Sequence, residues 1–378
     1  MAVLTGHKRL PRYRQFLAAF AATGCVLLTA LGGVNYVVDP FHYYRGLTAI
    51  NPVFLGSGYQ RYLNVGLARH FRYDTVVIGS SVTENFLPSY LAKSWGARAM
   101  KLSISGSTAY EQSLILKEAL ATGQVKHVIW AIDFGFYGGA ERVRDDEAPF
   151  PYHMYRRLPV SNLEYLLSLS TLEYSLKILK GYGTADLDAL DTWHRRFEFG
   201  RAAVLRSWGG DCGLFARKYR NDIRLPASVL DPMRNSVRRN LADLVRSNPN
   251  VVFHLFFPPV ATLFYIPADG GNLLNALPLR EAVAEAVGDL PNVRLSDFQT
   301  DARLTDALDR YKDLIHFDLA TTESVIDSLR DGSHRVAGHD VAATNARLIR
   351  HVNEYTLCHD GQLAGAAQEN TKFVNPNL

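Results

Sequence analysis

Thr75-Val76-Val77-Ile78-Gly79-Ser80-Ser81-Val82-Thr83 decides the fold. Its first four residues are all β-branched and the last three of them apolar, and then the chain turns through Gly-Ser-Ser. A strand of that kind is buried on both faces, which means a parallel sheet covered by helices on each side. Similar runs recur at Ala97–Ile104, His127–Ile132 and Asn250–Phe257, with a weaker one at Val293–Leu295. Between them lie amphipathic patterns at Tyr110–Ala121, Pro226–Arg246, Leu279–Val287 and Val341–Tyr355. The alternation predicts an α/β fold with a doubly wound parallel sheet. About a hundred residues separate the third run from the fourth, too many for a simple crossover. The Tyr-, Leu- and Arg-rich stretch 142–222, with a helical pattern at Leu163–Leu179, is therefore expected to be a helical insertion or lid.

The chain has 378 residues, 47% hydrophobic and 21% charged, a composition that excludes wholesale disorder and a coiled coil. Its formal charge of +4 has one source. Residues 1–38 contain Lys8, Arg9, Arg12 and Arg14 and no acid, and removing those four from 41 cations leaves 37 against 37 acids. A neutral body without a basic stripe argues against a nucleic-acid partner.

The basic segment 1–14 precedes an uncharged run, Gln15–Val38. Its 24 residues give about 36 Å of helix, enough to cross a hydrocarbon core of about 30 Å. Pro40 stops the helix. Ala30-Leu31-Gly32 is a poor signal-cleavage site because Val34, Val37 and Val38 follow it, and Ala22–Cys25 is a lipoprotein-like box set in mid-run. The expected organisation is a cytoplasmic segment 1–14, an anchor 15–38, an extracytoplasmic domain 39–358 and a disordered tail 359–378. By the positive-inside rule the domain lies outside the cytoplasmic membrane. Cys25 falls in the anchor, leaving Cys212 and Cys358 either bridged or as buried thiols. No His/Cys spacing indicates a metal.

Three segments can carry chemistry. Ser80-Ser81 sits where an open α/β sheet binds ligands, beyond the carboxyl end of a strand. The residues also suit a simple helix cap. Asp313-Leu314-Ile315-His316 lets a carboxylate fix the tautomer of an imidazole and leave its other nitrogen as a base. Ser105-Gly106-Ser107 offers a glycine N–H to a developing oxyanion. Smaller features are Phe257-Pro258-Pro259-Val260 as a site wall, His254 as a packed residue, and His334 and His339 as rival bases. Arg234, Arg238 and Arg239 read as a solvated helix face, and Tyr152, Tyr155, Tyr165 and Tyr174 as core or a sugar groove.

In this order, at strand ends, the motifs resemble the SGNH (GDSL-like) hydrolase superfamily. They are most similar to its membrane-anchored cell-envelope members, which include DltD-like proteins and polysaccharide O-acetyltransferase components. The likeness runs from Val38-Asp39-Pro40-Phe41 through Ile78-Gly79-Ser80-Ser81 and Gly106 to Asp313-x-x-His316, covering roughly Asp39 to Tyr355. It implies Ser81 as nucleophile, His316 as base, Asp313 as its orienting partner, and the N–H groups of Gly106 and Ser81 as oxyanion donors. It further implies an envelope polysaccharide or another acyl acceptor as substrate, a multi-pass membrane acyltransferase as partner, bacterial inner-membrane location, and no cofactor. The sequence departs from the pattern twice. Gly79-Ser80-Ser81 stands for Gly-Asp-Ser, and Ala131-Ile132-Asp133-Phe134-Gly135 stands where Gly-x-Asn-Asp is expected. Ser80 and Asn85 are the candidates to complete the oxyanion or substrate site. The functional alternatives are a scaffold or glycan-binding component that keeps the fold, and a membrane-proximal lipase with Leu163–Leu179 as lid.

Overall fold

The computed structural model describes residues 12–52, 59–144, 150–156, 159–190, 192–194, 196–219, 225–266, 271–359 and 362–363. Five strands, β1 (Thr75–Ile78), β2 (Ala99–Lys101), β3 (His127–Ala131), β4 (Val252–Phe257) and β5 (Val293–Asp297), form one all-parallel sheet in the order β2-β1-β3-β4-β5. Each of the five apolar runs contributes one strand. The helices, in chain order, are α1 (Arg12–Val38), α2 (Gln60–His70), α3 (Pro88–Trp95), α4 (Ala109–Leu120), α5 (Tyr152–Tyr155), α6 (Pro159–Leu166), α7 (Leu169–Leu179) and α8 (Arg201–Trp208). After them come α9 (Ala227–Ser236), α10 (Asp243–Ser247), α11 (Gly271–Val287), α12 (Ala302–Thr305), α13 (Leu319–Asp331) and α14 (Val341–Glu354).

Alternation along the strands feeds two cores. Val76, Ile78, Val128, Trp130, Phe253 and Leu255 pack with residues of α2, α4, α9 and α11 on one face. Val77, Ile129, Ala131 and Phe256 pack with residues of α3, α13 and α14 on the other. The expected amphipathic helix Pro226–Arg246 is divided: α9 runs into a π-helical stretch, Val237–Ala242, before α10. Val237 and Leu241 in that stretch, and Val245 in α10, are buried.

A buried ion pair secures the carboxyl end of β5 against α11 and α14. Arg280 meets Asp297 through two hydrogen bonds of 2.9 and 2.7 Å and also donates to Gln299, Thr344 and Asn345. Satisfying the guanidinium so fully is what lets a charge sit in the core. Cys212 and Cys358 are joined by a disulfide. The segment 359–378 begins not as a loose tail but as a hairpin, Cys358–His359 pairing antiparallel with Gln362–Leu363, and the chain beyond Leu363 lies outside the described residues.

The most apolar window of α1 is uncovered by the rest of the protein, and the helix is long and apolar enough to cross a membrane. The basic segment preceding it is described only from Arg12 onward. At the exit, Asp39 (φ 50°) reverses the chain. Its carboxylate accepts from Tyr43 N, Tyr44 N, Arg45 N and the Tyr165 hydroxyl, so the turn is locked by four donors. The insertion between β3 and β4 contains α5–α8. The helical pattern Leu163–Leu179 is two helices, α6 and α7, and they pack on α1; the lid expected there is not the part of the insertion that reaches Ser81. Of the four tyrosines considered for a sugar groove, Tyr165 and Tyr174 are buried and the Tyr155 hydroxyl donates to Arg61 O, which leaves Tyr152 exposed.

Candidate active site

The order β2-β1-β3 puts the topological switch point between β1 and β3, where an open sheet leaves a crevice at its carboxyl edge. β1 runs into Gly79, where the backbone swings past Thr83 and Ala131. A Cβ on Gly79 would stand 2.8 Å from Thr83 Cγ2, so glycine is required there. The next residues form a short helical turn, Ser81–Thr83, whose first N–H groups make no bond within the turn.

Ser81 and Ser80 part company at this turn. Ser81 Oγ lies 2.7 Å from His316 Nε2. His316 Nδ1 lies 2.7 and 2.9 Å from the two oxygens of Asp313, whose Oδ1 also accepts from Ile315 N and His316 N. The carboxylate assigns the proton to Nδ1 and leaves Nε2 to accept from the Ser81 hydroxyl. Burial pushes the Asp313 carboxyl up, but the hydrogen bond and charge of His316 and the two backbone N–H groups outweigh it and hold the acid down at about 2. The pair is positioned by a tight loop: Tyr311 bridges Phe317, and Lys312 N donates to His316 O. Hydroxyl, imidazole and carboxylate thus stand in line, the arrangement that lets a hydroxyl lose its proton as it attacks.

Ser80 does not serve the crevice. Its hydroxyl is fully buried and donates to Asp133 Oδ2 at 2.5 Å, a bond that ties the end of β1 to the end of β3. Asp133 occupies the place where the asparagine was expected. Burial pushes its carboxyl up to about 6, against hydrogen bonds from Ser80 and Gly135 and the nearby His316. A carboxyl raised in this way keeps its proton in the native state from its ordinary value near 3.8 to about 6, while the unfolded chain has lost it. Its effect is therefore a stability that declines as pH climbs through that window, costing about 3 kcal/mol at neutral pH. Asp133→Asn is expected to stabilise the fold by about 2 kcal/mol at pH 7.5, with the gain shrinking toward zero by pH 4. Thermal melts of both proteins across that range check it; a gap that does not change with pH would contradict it.

Gly106, the expected oxyanion donor, has φ +59°, and a side chain there would collide with the Arg144 guanidinium that lies over it. Asn85 is buried; its Oδ1 accepts from Trp193 N and His194 N, and its Nδ2 has no partner among the described residues. The two rival bases are elsewhere. His334 is bonded to Asp301 and Ser328, and His339 is exposed beside Asp340. His254 is packed against Trp95 and 3.3 Å from His127, where burial and then the neighbouring imidazole lower it to about 3. Arg234, Arg238 and Arg239 are solvent-exposed, Arg239 pairing with Glu141.

Trp193 and Lys312 belong to the site and were not marked by any motif. Trp193, from the insertion, donates its Nε1–H to Ser81 O and stands edge-on to the His316 ring at 5.1 Å. Lys312 Nζ lies over the rings of Trp193 and Phe197 and 3.6 Å from Asp313 Oδ2. A tryptophan in a Tyr- and Leu-rich stretch carries no sequence signal for such a contact. Next to the dyad a narrow pocket opens, lined by Val82, Ile132, Phe134, Val260 and Ile315, with Asp133 and Tyr265 among its polar groups. Among the described residues the buried Tyr265 hydroxyl has no partner. Pro258 and Val260 form part of its wall, as expected of that strand end.

Compared with known proteins, the chain matches no family model and no curated sequence.

Proposed function

We propose that this protein is a membrane-anchored, extracytoplasmic serine esterase or O-acyltransferase of the SGNH type, acting on acyl esters of a cell-envelope polysaccharide. The observation that carries the reading is the unbroken chain Ser81 Oγ–His316 Nε2 and His316 Nδ1–Asp313, with both links at 2.7 Å. In the proposed reaction the Ser81 proton passes to His316 Nε2 as Oγ attacks the acyl carbonyl carbon. The bond to the leaving alcohol then breaks, and that alcohol takes the proton from His316. A sugar hydroxyl or water repeats the steps in reverse on the acyl-serine. N–H groups at Ser81 and Gly106 would receive the oxyanion. The small apolar pocket beside Val82 and Ile315 suits a short acyl chain better than a fatty one. Tethering the site beside a membrane raises its effective concentration near a membrane-bound acyl donor, here a multi-pass acyltransferase partner.

The test is a fluorophosphonate probe on the full chain in detergent, with the adduct located by mass spectrometry. An adduct on Ser81, absent from Ser81→Ala, is the expected result. Folded protein that takes no adduct would overturn the enzyme reading and favour the alternative, a non-catalytic scaffold or glycan-binding component, for which Asp133 in the asparagine position is the supporting observation.

A further inference from the structure

We propose that the α6–α7 hairpin is a second membrane-docking element, with an apolar edge that lies among the lipid chains beside α1 and fixes the height of the Ser81 site above the bilayer. The inference rests on the reading of α1 as membrane-spanning.

The hairpin is bolted to α1 at a definite level. Asn35, fully buried in an uncharged and mainly apolar run, donates from Nδ2 to Leu166 O and Ser168 O at 2.8 and 3.1 Å and accepts from Ser175 Oγ at 3.0 Å. The amide thus caps the carbonyl end of α6 and reaches into α7, and a polar side chain in an apolar helix is tolerated because it is engaged in this way. One turn earlier, Gly32 leaves room for Leu166 and Leu167; a Cβ there would touch both at 3.8 Å. Counting from Gln15, a hydrocarbon core of about 30 Å takes about 20 residues and ends near Val34–Asn35. The seam between α1 and the hairpin therefore falls at the far edge of the hydrocarbon, not above it.

What the hairpin shows at that level is apolar. On α7, Leu169, Leu172, Leu176 and Leu179 recur at helical spacing within an arc of about 80°. Leu169 is 73% exposed and Leu179 57%. The buried side of the same helix is Thr171, Tyr174, Ser175 and Ile178. A third side carries Glu173 and Lys177, paired at 2.7 Å. On α6 and in the link that follows it, Val160, Leu163 and Leu167 repeat the spacing, with Leu163 56% exposed. A helix with separate protein-facing, apolar and charged sides is built to lie in a membrane interface. In water these leucines would form an exposed patch contiguous with the uncovered surface of α1. Continuity with a lipid-facing helix is what assigns lipid as their occupant.

The experiment uses the full chain with Cys25→Ala, reconstituted in phosphatidylethanolamine–phosphatidylglycerol vesicles. Single spin labels are placed at Leu163→Cys, Leu176→Cys, Leu27→Cys in the anchor and Arg303→Cys on the solvated domain. All four sites are exposed, so labelling leaves the core intact. Collision rates with oxygen, which partitions into lipid, are compared with those of a water-soluble nickel chelate. The oxygen-to-nickel ratio is expected to be about tenfold higher at 163 and 176 than at 303, and higher still at 27. Nickel-dominated collisions at 163 and 176 with oxygen-dominated ones at 27 would overturn the docking proposal and leave the anchor standing. Nickel-dominated collisions at 27 as well would remove the anchor reading itself. Shielding of 163 and 176 from both reagents would mean that a protein covers the hairpin, which also overturns the proposal.

Discussion

With Ser81 replaced by Ala, turnover of a short-chain ester is expected to fall by about 10⁶-fold, and His316→Ala is expected to fall by a similar factor. In the proposed reaction the two side chains act as one unit: Ser81 Oγ attacks only while His316 Nε2, 2.7 Å away, accepts its proton. Without the imidazole the hydroxyl keeps its proton; without the hydroxyl the imidazole has nothing to activate. The double variant should therefore be no slower than either single one, because the second loss removes nothing further. Removing Ser81 vacates a nearly buried side chain at the start of a short turn, and the Trp193 bond is to the Ser81 carbonyl, so the fold is expected to survive. Steady-state kinetics on the three variants check this. Strictly additive losses, or a Ser81→Ala protein with rates near the wild type, would show that the hydroxyl is not the attacking group.

Asp313→Asn is expected to lower the rate by about 10⁴-fold while leaving the shape of the site in place. Asp313 Oδ1 holds two backbone N–H groups, so an amide in the same pose keeps its oxygen there and presents its NH₂ to His316. His316 Nδ1 must then accept, which puts the ring proton on Nε2. That nitrogen is the one facing Ser81, and a protonated Nε2 cannot take the hydroxyl proton. The substitution also has a stability signature. An acid held at about 2 contributes stability that is present above the ordinary carboxylate value and is lost as pH falls toward 2. With about a quarter of the side chain exposed, that contribution is about 1–2 kcal/mol. The stability gap between wild type and variant is expected at pH 6 and to close on acidification below about pH 4. A rate loss under about tenfold would mean that another group orients the imidazole.

Much of this molecule was legible in one dimension because the signals are local. Mainly apolar runs without strict polar alternation, at Thr75–Ile78, His127–Ala131 and Val252–Phe257, call for burial on both faces, and the parallel sheet follows from them. The uncharged stretch after Arg14 is likewise long enough for a membrane by count alone. Ser81, Asp313 and His316 were visible because each stands just past a strand end or at a spacing that lets a carboxylate reach a neighbouring ring.

Tertiary structure decided the rest, because it depended on partners distant in the chain. Which of two adjacent serines faces the crevice was settled by Asp133, 53 residues away, which claims the Ser80 hydroxyl. Trp193 reaches Ser81 across 112 positions, and no periodicity encodes that contact. The pattern at Leu163–Leu179 fitted a lid until Asn35, on the far side of more than a hundred residues, bound its two helices to α1. Amphipathic spacing states that a helix has an apolar side; the surface that side meets is set by the other elements that compete to cover it.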